Sequence, residues 1–150
     1  MIPDLDTVPL LGALTPTQRA VLAGTGELET HRPGTRLFEE GQPADRARVV
    51  LCGCVMVDIP VPGRGSVAVQ SIGPGELLGL SWFVPPYRWH FGATVVSPTR
   101  AIAWDAARLR ELAEEDPALG YRLSLVLAEA MLNRLQSTRL RLLDLYRNPR

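Results

Sequence analysis

Residues 49–72 read VVLCGCVMVDIPVPGRGSVAVQSI, and this run decides the fold. Val49–Cys52 and Cys54–Ile59 are two apolar stretches divided by Gly53, and Val55, Val57 and Ile59 fall on one face of an extended chain. Pro60, Pro62, Gly63 and Gly65 then crowd turn-forming residues together, so the chain reverses and Ser66–Ile72 returns as an antiparallel partner. Gly63-Arg64-Gly65 lacks the spacing of a phosphate-binding loop and reads as a plain hairpin tip.

The same pattern extends outward in both directions. Thr35–Glu39 precedes the run, while Phe91–Val96 and Arg100–Trp104 follow it, each bounded by glycine or proline. Short strands at even spacing predict an antiparallel roll or barrel over residues 27–104, filled by Val, Ile and Leu. Helical signals flank it. Thr15-Pro16-Thr17-Gln18 has the form of a capped helix start, and Gly24 and Gly26 stop that helix early. The leader Met1–Leu14 is interrupted by Pro3, Pro9 and Gly12. Asp105 caps a helix through Leu112, and Asp116-Pro117 opens a long one that nothing breaks before Asn148-Pro149. The predicted class is α+β, mainly β: a double-stranded, jelly-roll-like β-roll between a short N-terminal helix and a long C-terminal helix. Its expected organisation is one domain over 1–150, with a helical segment at 1–26, the roll at 27–104 and helices at 105–150.

The long helix changes character along its length. Leu119, Leu123, Val126, Leu127 and Ala130 form a stripe suited to packing on the roll. Met131, Leu135, Thr138, Leu142 and Leu145 follow the four-and-three spacing of a coiled-coil seam, which predicts that two copies pair along it as a homodimer. The alternative is that this stripe also packs on the chain's own roll.

Composition narrows the function classes. Sixteen basic and sixteen acidic side chains cancel, so no general attraction to nucleic acid or anionic lipid is expected. Every basic residue is arginine, a compositional bias that weakens any one arginine as a sign of phosphate recognition. No apolar run reaches the length of a membrane span and Met1–Asp6 is no signal peptide, so a cytoplasmic protein is expected. Cys52 and Cys54 are too few for a metal site with only His31 and His90 to complete it, and a disulfide between them would strain the backbone. Neither histidine has the companions of a catalytic triad. No catalytic residue, metal ligand or required cofactor is predicted.

Binding is a different matter. Gly73–Ala93 joins glycine-spaced segments to an aromatic, proline-rich loop containing Arg88, Trp89 and His90. Glycines let backbone N–H groups turn toward an anion, and Arg88 offers a planar fork to phosphate or carboxylate. Trp82, Phe83, Tyr87, Trp89 and Phe91 either cover the open end of the roll or stack on a planar ligand.

Pro33-Gly34-Thr35 with Leu37-Phe38, then Glu40-Gly41-Gln42-Pro43-Ala44-Asp45, and later Leu51-Cys52-Gly53-Cys54-Val55, resemble the P-G-x-x-L-F-x-E-G-x-x-A-D and L-x-G-x-V runs of the catabolite-activator (Crp/Fnr) family. The resemblance runs from Leu28 to Leu145 and implies that family's cyclic-nucleotide-binding domain. Gly75-Glu76-Leu77-Leu78-Gly79 matches the start of the family's phosphate-binding cassette, with Leu80 where the family carries its ribose-binding glutamate and Arg88 nearest its phosphate-binding arginine. Arg134-Leu135-Gln136-Ser137-Thr138 resembles the dimer-helix motif whose threonine faces the purine. The implied ligand site is therefore Gly79, Leu80, Ser81, Arg88, Trp89, His90 and Thr138, for a small anion such as cyclic AMP or cyclic GMP. Only a few residues follow the coil before Arg150, too few for the family's helix-turn-helix domain, so direct sequence-specific DNA reading is not expected. The expected function is a non-enzymatic regulatory domain signalling through its dimer helix, with a possible protein partner implied. The alternative is a ligand-free interaction module that kept the roll.

Overall fold

The computed structural model describes residues 5–147. The readings that involve Pro3, Asn148, Pro149 and Arg150 lie outside the described residues. Two short 3-10 turns, Leu5–Thr7 and Pro9–Ala13, lead into α1, Pro16–Thr25. The expected capping box is present: the Gln18 N–H donates to the Thr15 hydroxyl at 3.2 Å, and the Thr15 N–H donates to the Gln18 side chain at 2.9 Å. Five strands follow as β1 (Glu27–His31), β2 (Arg36–Phe38), β3 (Arg46–Val61), β4 (Gly65–Ile72) and β5 (Gly92–Asp105). Helices α2 (Ala106–Glu115) and α3 (Pro117–Arg147) close the chain.

The strands form one antiparallel sheet in the order β1-β5-β3-β4, with β2 added along β5. This is the α+β, mainly β class expected. Two details differ from the sequence reading. The segments on either side of Gly53 are one 16-residue strand, because Gly53 adopts φ +97° and absorbs a bulge without ending the ladder. Phe91–Val96 and Arg100–Trp104 likewise join across Pro98 into β5. The central β3–β5 pair thus runs the length of the sheet, with β4 on one end of β3 and β1 on one end of β5.

Val49, Val50, Val55 and Val57 of β3 and Val95 and Ile102 of β5 are buried with Ile72, Leu78 and Trp82. The first half of α3 covers this core with Leu119, Leu123, Val126 and Leu127. Leu5, Val8, Leu11 and Leu14 join the same cluster, so residues 5–14 pack against the core. The indole N–H of Trp104 donates to the Leu22 carbonyl at 2.9 Å, tying α1 to β5.

A charged network sits across the β1–β5–β3 surface. Ala103 is paired with both Glu27 and Arg48, and its small side chain leaves room for longer neighbours to meet. Glu29 accepts from Arg48 Nε at 2.8 Å and from Arg46 at 3.1 Å, with His31 Nε2 also 3.1 Å away. Burial alone would raise the Glu29 carboxyl, but the hydrogen bond and charge of Arg48, with His31 and Arg46, outweigh it and hold the group below its ordinary 4.5. A lowered folded value stabilises fully above the unfolded value, and the gain disappears as pH falls through the folded one. Glu29→Gln is therefore expected to lose about 2 kcal/mol at neutral pH, since Arg48 loses its counter-charge. It should also lose less than the wild type on acidification below 4.5, which urea denaturation at the two pH values will measure.

Candidate functional site

The segment between β4 and β5 is held against the sheet by backbone pairing. Leu78 N–H donates to the Arg48 carbonyl at 2.9 Å and Val50 N–H to that of Glu76 at 3.0 Å. After Leu78 the chain turns away at Gly79, φ +83°, where a Cβ would approach Trp89 and Phe91 to 2.7 and 2.8 Å. Only glycine combines that backbone with two aromatic rings in contact. Trp82 secures the turn from below, its buried indole N–H donating to the Gly79 carbonyl at 3.1 Å.

Opposite this turn runs the middle of α3. Between the two lies a cleft of about 350 Å³ lined by Gly79, Leu80, Ser81 and Phe91 on one side, and by Met131, Arg134, Leu135 and Thr138 on the other. Positions 131, 134, 135 and 138 share one helical face by their three- and four-residue spacing. The amide N–H groups of Gly79, Leu80 and Ser81 donate to no acceptor among the described residues. Thr138 Oγ1 donates to the carbonyl of Arg134 at 3.0 Å.

Four of the seven residues expected at the ligand site, Gly79, Leu80, Ser81 and Thr138, thus meet around one cleft. The other three do not join them. The segment 87–89 pairs with 41–44: Trp89 N–H donates to the Gln42 carbonyl at 3.0 Å, and Ala44 N–H to that of Tyr87 at 2.7 Å. In an extended chain neighbours face opposite ways. Trp89 points inward, 2% exposed and stacked on Phe38 with ring centroids 4.0 Å apart, so Arg88 and His90 are turned out. Arg88 donates to the Gly41 carbonyl at 2.8 Å on the outer surface. Arg88, Trp89 and His90, expected at the ligand site, therefore stand outside the lining of this cleft. Trp89 is a floor beneath Gly79, and the other two are surface groups.

The cation lining the cleft is Arg134, which the sequence places in the dimer-helix motif without a ligand role. Its guanidinium donates to the Leu77 carbonyl at 3.0 Å. Burial pulls it below its ordinary value, and the charge of Glu76 offsets only part of that. On the far side of Arg134 is a smaller polar cleft of about 150 Å³, with Gln70, Glu76, Asn133 and Ser137 in its wall. Phe91 and Arg134 line the cleft but are not among the residues expected there. The helical register with Met131, Leu135 and Thr138 was the available signal for Arg134.

A family model for the cyclic nucleotide-binding domain matches residues 28–116, more than half of the chain. The chain belongs to the cyclic nucleotide-binding domain family. Within it, the chain is 32% identical over 113 residues to a CRP-like cAMP-activated global transcriptional regulator of Mycobacterium tuberculosis, covering 75% of this chain and 48% of the relative. It spans about half the length of the curated relatives it matches. A solved Geobacter metallireducens protein named for cyclic-nucleotide binding superposes with a TM-score of 0.81 at 31% identity, over 90% of this chain and 99% of the other. The catabolite activator protein of Thermus thermophilus shares the fold, with a TM-score of 0.69 at 23% identity over 91% of this chain and 63% of its own. This member of the cyclic nucleotide-binding domain family has no helix long and apolar enough to cross a membrane, and no cluster of three metal-ligating side chains, among its described residues.

Proposed function

We propose that residues 1–150 act as one cytoplasmic regulatory domain of cyclic-nucleotide-binding type, non-enzymatic, in which a small anion enters the cleft under α3 and its presence is passed to a second copy paired along that helix. One observation carries this reading: the same helix walls the cleft and presents a bare apolar stripe. Met131, Leu135, Leu142 and Leu145 are each about half exposed or more, as are Leu132, Leu140 and Leu143. A contiguous apolar surface of this kind marks a contact site. Arg134 and three unpaired amides supply positive potential on the cleft side. The mycobacterial relatives are cAMP-activated regulators, which makes cyclic AMP and cyclic GMP the first ligands to test.

Sedimentation equilibrium is expected to give a dimer at micromolar protein. Leu142→Asp with Leu145→Asp should give a monomer of unchanged helicity, because both positions lie beyond the cleft. Anilinonaphthalene sulfonate, an aromatic anion that fluoresces in apolar sites, should report one site per chain that Thr138→Trp fills and abolishes. A wild-type monomer removes the signalling half of the proposal, and reporter binding untouched by Thr138→Trp removes the effector half. The second outcome would favour a ligand-free interaction module, the reading suggested by Arg88 facing outward and Trp89 filling the space under Gly79.

A further inference from the structure

The cleft wall is specific about the ligand it will accept. Leu80, Phe91, Met131 and Leu135 make most of it apolar, and Arg134 is its one charged residue. Its lining contains no Asp, Glu, Asn or Gln side chain, so an entering hydroxyl that must donate finds only the oxygens of Ser81 and Thr138 or the backbone. Thr138 is already turned to its own helix, while Ser81 makes no hydrogen bond among the described residues. A ribose phosphate brings several donors and acceptors, and each one buried without a partner weakens binding by about tenfold or more.

Arg134 is under-compensated. One of its N–H groups holds the Leu77 carbonyl, but no carboxylate forms a salt bridge with it among the described residues. A half-buried guanidinium whose burial the charge of Glu76 offsets only in part gains more from an incoming anion than an exposed one does, because less water is there to screen the pair. Its planar fork matches a carboxylate with two parallel N–H donors. The unpaired amide N–H groups of Gly79, Leu80 and Ser81 can donate to the remaining carboxylate lone pairs. Beyond that head, Phe91 suits stacking on an aromatic ring, and the thioether of Met131 adapts to its edge.

Taking the cleft as the effector site, we infer that its ligand is a compact aryl-alkyl monocarboxylate, with the carboxylate on Arg134 and the ring among Leu80, Phe91, Met131 and Leu135, in preference to a cyclic nucleotide. Displacement of anilinonaphthalene sulfonate from the full chain tests it with three probes: indole-3-propionate, its neutral amide, and cyclic AMP. The acid is expected to bind at least tenfold more tightly than the amide and than cyclic AMP. Arg134→Gln should bring acid and amide level, Arg134→Lys should restore part of the preference, and Arg88→Gln should leave it unchanged. Equal affinity of acid and amide for the wild type overturns the inference without needing any variant to fold. Tighter binding of cyclic AMP than of the acid also overturns it, while leaving the effector cleft intact. Failure of the reporter to respond to Thr138→Trp removes the cleft itself and both readings together.

Discussion

Replacing Gly53 by alanine is expected to lower stability by about 3 kcal/mol or more, among the largest effects of any single methyl group in this chain. Gly53 has φ +97°, and a Cβ built there lies 2.4 Å from both the Pro98 carbonyl oxygen and the Thr99 hydroxyl, and 2.7 Å from the Thr99 Cα. Two of these three atoms belong to the backbone of β5, so no side-chain rotation relieves the contact. Thr99 is 1% exposed, with its hydroxyl donating to the Ser97 carbonyl at 2.8 Å, which pins the neighbour in place. The strands must separate locally or the bulge must be rebuilt. In a domain of this size the loss corresponds to a fall of about 10 °C in thermal midpoint. A midpoint within about 2 °C of the wild type would mean that the β3–β5 contact at this bulge is looser than described.

Trp82→Ala should cost about 4 kcal/mol, the usual penalty for emptying a buried indole site. The ring is 1% exposed, meets Phe83 edge-on at 5.4 Å, and lies among Leu22, Val49, Leu77, Trp104 and Val126. Its N–H also holds the Gly79 carbonyl at 3.1 Å, so the effect reaches the cleft. Trp82→Phe separates the two roles. It keeps most of the packing and is expected to lose only about 1–2 kcal/mol, yet it releases the Gly79 turn. Urea denaturation gives the stability of each variant. Reporter binding should weaken several-fold in Trp82→Phe while the thermal midpoint falls by only about 3–6 °C; unchanged reporter affinity would separate the Trp82 anchor from the cleft.

The physical source of each success and miss in the sequence reading is local. Strands with a clean apolar alternation, such as Val55–Ile59, were legible because one face is buried and the period is two. The helix starts at Thr15 and Asp116 were legible because capping is a short-range interaction: the Asp116 carboxylate accepts from the Leu119 N–H at 3.3 Å. β1 was not picked out as a strand, since Glu27–His31 is mostly polar and its carboxylates are satisfied by arginines far along the chain. Gly53 and Pro98 read as ends of strands, whereas a bulge lets the ladder continue through them. Arg88 faces outward by one step of alternation, decided by which of two neighbours, Arg88 or Trp89, the core prefers. Arg134 was hidden for another reason. Its helical face was readable, but which loop crosses that face depends on the long-range Leu78–Arg48 pairing.

The buried contacts of α3 end at Leu127, twenty residues before Arg147. At 1.5 Å per residue the remainder reaches about 30 Å beyond that fulcrum, so a swing of about 5° at Leu127 would carry the tip about 2.6 Å sideways. The cleft residues Met131 to Thr138 lie on the short arm of this lever, where a ligand of the proposed kind would push. A displacement too small to disturb the sheet is therefore enlarged along the rod, and whatever grips its distal end feels the amplified stroke.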